Sequence, residues 1–148
     1  MSKVILLGVC NIKGGSIKEV KSIDAVKGKG LLDDRKFKEN NEKNSQLTLI
    51  QIENINYYNK ISNSSIHPLN FRRNIITEGI ELNELINKEF LIGNVKVKGH
   101  DLCRPCKYLQ ELLEQKNFVK ELILKGGLRC EILSSGKIFV NDIIKTYD

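Results

Sequence analysis

The chain has 148 residues, 41% hydrophobic and 28% charged, with a net charge of +6. This size predicts one domain over residues 1–148, long enough to bury a sizeable core, and the balance excludes a disordered chain. No apolar run approaches the roughly 20 residues of a bilayer span, and the short run inside MSKVILLGVC falls below the length of a secretion signal. The expectation is a cytoplasmic protein with no membrane partner.

The basic excess sits mostly in the first 50 residues. It suits a nucleic acid or a small anion such as a phosphorylated cofactor. Aromatic residues make up only 6% of the chain and Trp is absent, which argues against nucleic acid, because single-strand binders use aromatic stacking platforms.

In chain order, residues 3–9 (KVILLGV) predict a buried strand, and residues 11–15 (NIKGG) predict a turn. A second short strand is expected over residues 18–23, then a loop at Gly28-Lys29-Gly30. The polar stretch 38–45 (KENNEKNS) reads as an exposed, mobile loop. Residues 46–52 (QLTLIQI) read as a strand running into one or two helical turns that end at Asn63-Ser64-Ser65. Residues 71–76 (FRRNII) read as extended. Leu82, Leu85 and Ile86 recur at helical spacing and predict a short amphipathic helix. Two strands should flank the Gly93-Asn94 turn, and strict alternation in VKVKG supports the second.

Pro105 suits the first position of a helix, where its missing N–H has no intrahelical partner to lose. Leu109, Leu112 and Leu113 then share one face. The final LRCEIL–SSG–KIFV reads as a hairpin turning at Ser135-Gly136. Many short strands with few helices predict a mainly β fold, a barrel or sandwich with helical decoration.

The most chemically loaded segment is Cys103-Arg104-Pro105-Cys106. Four readings compete. It is half of a zinc site, but the other candidates, Cys10, Cys130, His67 and His100, are scattered. It is a thioredoxin-like dithiol, but the chain does not alternate strand and helix around it. It is a pair of buried structural thiols. Or one thiolate is built to bind a metal or carry sulfur. Cys106, beside Pro105 in the first turn of the expected helix and flanked by Arg104 and Lys107, meets the conditions that lower a thiol pKa.

From residue 71 onward the sequence resembles the MOSC domain family, the molybdenum-cofactor sulfurase C-terminal domain. The likeness is carried by FRRNIITEGIELNEL (71–85), FLIGNVKV (90–97), CRPC (103–106) and KGGLRCEILSSGKIFVND (125–142). GLLDDR (30–35) and QLTLI (46–50) extend it toward the amino terminus. Gly93-Asn94 and Asn141-Asp142 stand where the family usually has Gly-Asp.

The resemblance implies a β-barrel-like fold with a few short helices, handling molybdenum cofactor (molybdopterin) or activated sulfur. It implies that Cys106 is the functional residue, as a metal ligand in molybdenum-binding members and as a persulfide carrier in others. It maps the family's R-x-N motif onto Arg72 and Asn74, and offers Arg35 and Lys18 as further cofactor contacts. A surface ion pair for Arg72, a turn role for Asn74, an Asp34–Arg35 pair and a plain surface Lys18 are the competing readings. His100 is either a proton donor or structural, and Gly126-Gly127 serve a close backbone approach. Larger relatives carry a pyridoxal-phosphate-dependent sulfurase, a second β domain or an iron–sulfur module. The implied partners are therefore a cysteine desulfurase, cofactor-biosynthesis proteins or an external electron donor. The implied activities are reduction of N-hydroxylated compounds, sulfur transfer, or cofactor binding without turnover.

Overall fold

A computed structural model describes residues 1–105 and 107–147. Eleven strands alternate with short helical pieces: β1 (Lys3–Val9), β2 (Lys18–Val20), β3 (Ser22–Val26), β4 (Gly30–Leu31), β5 (Leu47–Gln51), α1 (Ile52–Ser62), β6 (Ile75–Glu78), β7 (Glu89–Ile92), β8 (Val95–Leu102), α2 (Lys107–Leu112), α3 (Phe118–Glu121), β9 (Leu128–Ile132), β10 (Gly136–Phe139) and β11 (Ile144–Thr146). Single 3₁₀ turns occupy Pro68–Phe71 and Leu82–Leu85. The fold is mainly β, as expected.

Eight strands form one sheet in the order β11-β7-β8-β9-β5-β6-β1-β2, and β10-β3-β4 form a second. The large sheet curls, because its far end bonds back to its beginning. The Val4 N–H donates to Asp142 O, the Asn141 N–H to Val4 O and the Ile144 N–H to Ser2 O, all at 2.8–2.9 Å. Strand alternation decides which side chains enter the curl. In β8, Val95, Val97 and Gly99 are buried while Lys96 and Lys98 face outward. The interior fills with Val4, Leu7, Ile23, Leu49, Phe90, Val97, Leu128 and Ile138.

The parallel pair β5–β6 needs a crossover, and α1 supplies it. Its buried residues Ile55 and Tyr58 meet Ile50 and Ile76 on the outer sheet face, with Phe71, Leu109 and Phe118. Tyr58, Phe71 and Phe118 lie with ring centroids 5.3–6.2 Å apart, two of the pairs edge-on. This second core pins α2 and α3 against the sheet and sets where Tyr108 and Leu109 stand.

Several expectations change. Residues 18–23 divide between two sheets, β2 pairing with β1 and β3 with β10. The carboxy-terminal pair is not a hairpin, since β9 pairs with β5 and β8 while β10 joins the other sheet. The Leu82–Leu85 segment closes as a 3₁₀ turn, too short to develop an α-helical face. Pro105 lies outside α2. The 38–45 loop is stitched down by Asn41, whose amide donates to Lys29 O at 2.8 Å and Lys36 O at 2.7 Å.

Two glycine-associated turns met separately in the sequence are neighbours in space. Gly93 sits at φ 58°, and a Cβ there would overlap the Asp142 carboxylate. Gly127 has φ 111° and a Cβ on it would overlap Leu49 O, while one on Gly126 would meet Cys103 O at 2.6 Å. The Gly-Gly pair therefore lets β9 and the Cys103 backbone close against β5.

Candidate functional site

A cleft of about 680 Å³ opens where the end of β1, the start of β5 and the entry to β6 come together. Its lining comes from five chain segments: Cys10, Lys13, Gly14 and Ile17; Asp34, Arg35 and Lys36; Thr48; Arg72, Arg73 and Asn74; and Tyr108 and Leu109. Five of these side chains are cationic and one is a carboxylate.

Local backbone geometry aims the cations inward. In a regular strand, neighbouring side chains point to opposite faces. Arg72 breaks that rule at φ 64°, the left-handed cap of the preceding 3₁₀ turn, and both Arg72 and Arg73 line the cleft. Asp33, at φ 68°, turns the chain so that Asp34, Arg35 and Lys36 also face it.

Asp34 does not neutralise the cluster by an ion pair with Arg35. Its Oδ1 accepts from the Cys10 N–H at 3.0 Å and the Asn74 amide at 3.5 Å, and its Oδ2 from the Lys36 N–H at 3.3 Å. The Arg35 N–H in turn donates to Cys10 O at 2.7 Å, so the GLLDDR segment is clamped to the end of β1. Among the described residues, no carboxylate forms an ion pair with Lys13, Arg35, Lys36, Arg72 or Arg73. The effect shows at Lys36. Burial pushes its ammonium below the ordinary lysine range, and Arg35 and Arg73 push it further, against weaker opposition from Cys103 and Asp34.

The expected site residues take different places. Arg35 lines the cleft. Arg72 lines it too, but its Nη1 donates to Gly15 O at 2.8 Å and its Nη2 approaches Cys10 Sγ at 3.9 Å. Asn74 lines the floor with its amide turned into the frame. Its Oδ1 accepts from the Thr48 N–H and hydroxyl at 3.2 and 3.1 Å, and its Nδ2 donates to Gly8 O at 3.1 Å. Lys18 stands exposed on β2 and is not among the lining residues. His100 pairs with Glu131 at 2.9 Å across β8 and β9, also outside the cleft. Cys106 lies outside the described residues, while Tyr108 and Leu109, just after it in the chain, line the cleft.

Lys13, Lys36 and Arg73 belong to the cleft and were not singled out from the sequence, and Cys10, named there only as a scattered zinc candidate, lines it too. The doublets Arg35-Lys36 and Arg72-Arg73 are the signal that was there to read.

The other half of the Cys-x-x-Cys segment is inert by placement. Cys103 is buried, and burial raises its thiol pKa despite Arg73, Arg129 and Lys36 nearby; burial raises that of Cys130 strongly. Neither thiol should react with iodoacetamide at neutral pH until the protein is unfolded, as peptide mass mapping would show. The folded state holds both protons longer than the unfolded state, so their stabilisation is complete below the unfolded thiol range, near pH 8.5, and declines above it. Urea midpoints compared at pH 8 and pH 10 should fall less steeply in Cys103→Ala than in wild type, each thiol contributing at most about 1.4 kcal/mol per pH unit. Equal slopes would contradict this placement.

Among the described residues, no three His, Cys, Asp or Glu side chains gather as a metal site needs, and no helix is long and apolar enough to cross a membrane.

Solved structures share this architecture. YuaD from Bacillus subtilis superimposes with a TM-score of 0.82 at 17% identity, covering 100% of this chain and 98% of that one. YiiM from Geobacillus stearothermophilus gives 0.79 at 13% identity, covering 100% and 76%. YiiM from Escherichia coli gives 0.72 at 14% identity, covering 100% and 70%. No curated protein sequence matches. At these identities the likeness establishes the fold alone. The MOSC domain model matches residues 32–145, which hold β5 to β10, the start of β11 and most of the cleft wall, and by that match the chain belongs to the MOSC domain family.

Proposed function

We propose that the cleft binds molybdenum cofactor through its phosphate-bearing portion, and that Cys106 presents a thiolate to the metal. The observation that carries the reading is the crowding of Arg35, Lys36 and Arg73 with no carboxylate ion-paired to them among the described residues. Like charges held together cost free energy, and a multiply charged oxyanion reverses the sign of that cost.

The residues present fit such a group. Arg35 and Arg73 offer planar forks that match phosphate oxygens, and Lys36 offers a point charge between them in sequence and in charge contact with both. Arg73 is braced for this, because its Nε donates to Gly126 O at 2.8 Å. Tyr108 and Ile17 give the cleft an apolar side suited to a flat ring. When bound, the cofactor supplies a metal centre for electron or sulfur transfer. The chain's own task is to hold the anion, exclude competing cations and keep one soft sulfur ligand available.

Purification from a cofactor-producing host, followed by elemental and pterin analysis, tests this. Wild type should carry both molybdenum and pterin. Cys106→Ser should keep pterin and molybdenum, held by the basic cluster, and lose one sulfur from the metal's coordination, as X-ray absorption would show. A wild-type protein with neither would end the reading. Pterin-free protein carrying one added sulfur on Cys106 after incubation with a cysteine desulfurase and cysteine would replace it with sulfur carriage.

A further inference from the structure

We infer that residues 11–16 form a flap that closes on an oxyanion in the cleft, with Lys13 as its binding charge and Arg72 as its latch; this rests on the anion-binding reading above. The two stems of the flap are fixed. At one end Cys10 is clamped through its N–H and its carbonyl to Asp34 and Arg35. At the other, Ile17 occupies space that only a glycine at position 8 leaves open, and packs into the outer core.

Between the stems the chain is loosely held. Residues 11–14 are exposed, yet Lys13 and Gly14 line the cleft. Gly14 adopts φ 78° and has no atom within 4 Å of where its Cβ would be, so that side of the turn borders open space. The Gly15 N–H bonds inside the flap, to Ile12 O at 2.9 Å. The Cys10 thiol reaches Ile12 O and Gly15 O at 2.9 and 3.3 Å, and a thiol is a weak donor. The strong tie to the body is the Arg72 guanidinium on Gly15 O at 2.8 Å.

That guanidinium belongs to the flap's tether and to the basic cleft at once. Without an anion, Arg72 faces other cations. With an anion, its remaining N–H donors find an acceptor, its position firms, and Gly15 O is held by the same rigid fork. Lys13 is drawn to the same charge. Binding and flap closure are thus one coupled equilibrium.

The test uses the full chain and inorganic phosphate. Phosphate affinity is measured by calorimetry, and amide hydrogen exchange is followed over residues 11–16 with and without phosphate. Phosphate should slow that exchange. Lys13→Gln should weaken phosphate by about tenfold, the size of one charge-assisted hydrogen bond. Lys43→Gln, an exposed lysine outside the cleft, should leave affinity near wild type. Arg72→Gln should speed flap exchange in the free protein and abolish the slowing by phosphate. Phosphate binding with unchanged flap exchange would overturn the flap and leave the cleft reading standing. Equal losses from Lys13→Gln and Lys43→Gln would overturn it as well. Failure of phosphate to bind at millimolar concentration would remove both.

Discussion

Asn74→Ala should destabilise the protein by about 3 kcal/mol, since it leaves buried partners unpaired at roughly 1–3 kcal/mol each. The Asn74 amide accepts from the Thr48 N–H and hydroxyl and donates to Gly8 O and Asp34 Oδ1. It joins β1, β5 and the entry to β6 at the floor of the cleft, with Asn74 and Thr48 both buried. A loss of this size is a large share of a stability of about 5–15 kcal/mol. Asn74→Asp separates the two halves of the effect. It keeps the acceptors for Thr48 but loses the donors, and sets a second carboxylate against Asp34. It should be most destabilised at neutral pH and recover partly as acid protonates one of the two carboxyls. Urea unfolding of both variants measures this. An Asn74→Ala loss under 1 kcal/mol would show that the frame does not depend on the amide.

Removing Lys36 and Arg73 together, as Lys36→Gln with Arg73→Gln, should weaken binding, while removing Lys36 alone should raise the stability of the ligand-free protein. Each cation removed should cost about tenfold in affinity for phosphate or for the cofactor, so the pair costs about a hundredfold. Ligand-free Lys36→Gln, which keeps the Arg73 Nε bond to Gly126 O, should melt higher than wild type. Lys36 has its pKa lowered by burial and by Arg35 and Arg73, which means the folded state disfavours the charged ammonium. That penalty is present wherever the ammonium is charged in both states, and eases as pH rises through the lowered folded value. Glutamine removes it. Thermal unfolding of ligand-free wild type and Lys36→Gln, beside phosphate titrations of wild type and the double variant, reads both effects. A double variant that binds as wild type, or a Lys36→Gln protein that melts lower while remaining folded, would contradict the account of a strained cationic site. Sites kept at the expense of stability are common where function needs uncompensated charge.

The pattern of apolar residues carried much of the fold. KVILLGV matches β1 at Lys3–Val9, and the alternation in VKVKG matches the inward and outward faces of β8. The first was legible as a short apolar run rich in β-branched residues, and the second because burial on one face imposes period two. The βαβ unit β5-α1-β6 was only half visible. QLTLIQI runs from strand into helix without a break, but nothing local says that the next strand will lie parallel. The false hairpin failed for a related reason. A Ser-Gly turn between two apolar runs is compatible with adjacent strands, but β10 finds a better partner in β3, far away in sequence.

The site divides along the same line. Arg35, Arg72 and Asn74 could be picked from short motifs, but their roles could not. Asn74 serves the frame, Arg72 ties the 11–16 segment, and Lys36 and Arg73 join the cleft because positive φ at Asp33 and Arg72 turns neighbouring side chains the same way. Backbone hands of that kind leave little trace in residue identity when the residue is not glycine.

By itself the sequence determined the class of the fold, the position of strands marked by an apolar run or by period-two alternation, and the presence of basic doublets and a Cys-x-x-Cys segment. Only the tertiary structure decided that residues 10–17, 34–36, 72–74 and 108–109 share one cleft, and that its charge is left unpaired among the described residues. The reason is that burial pattern is a local property of a strand, whereas the convergence of charges depends on which distant strands pair and where the backbone turns left-handed.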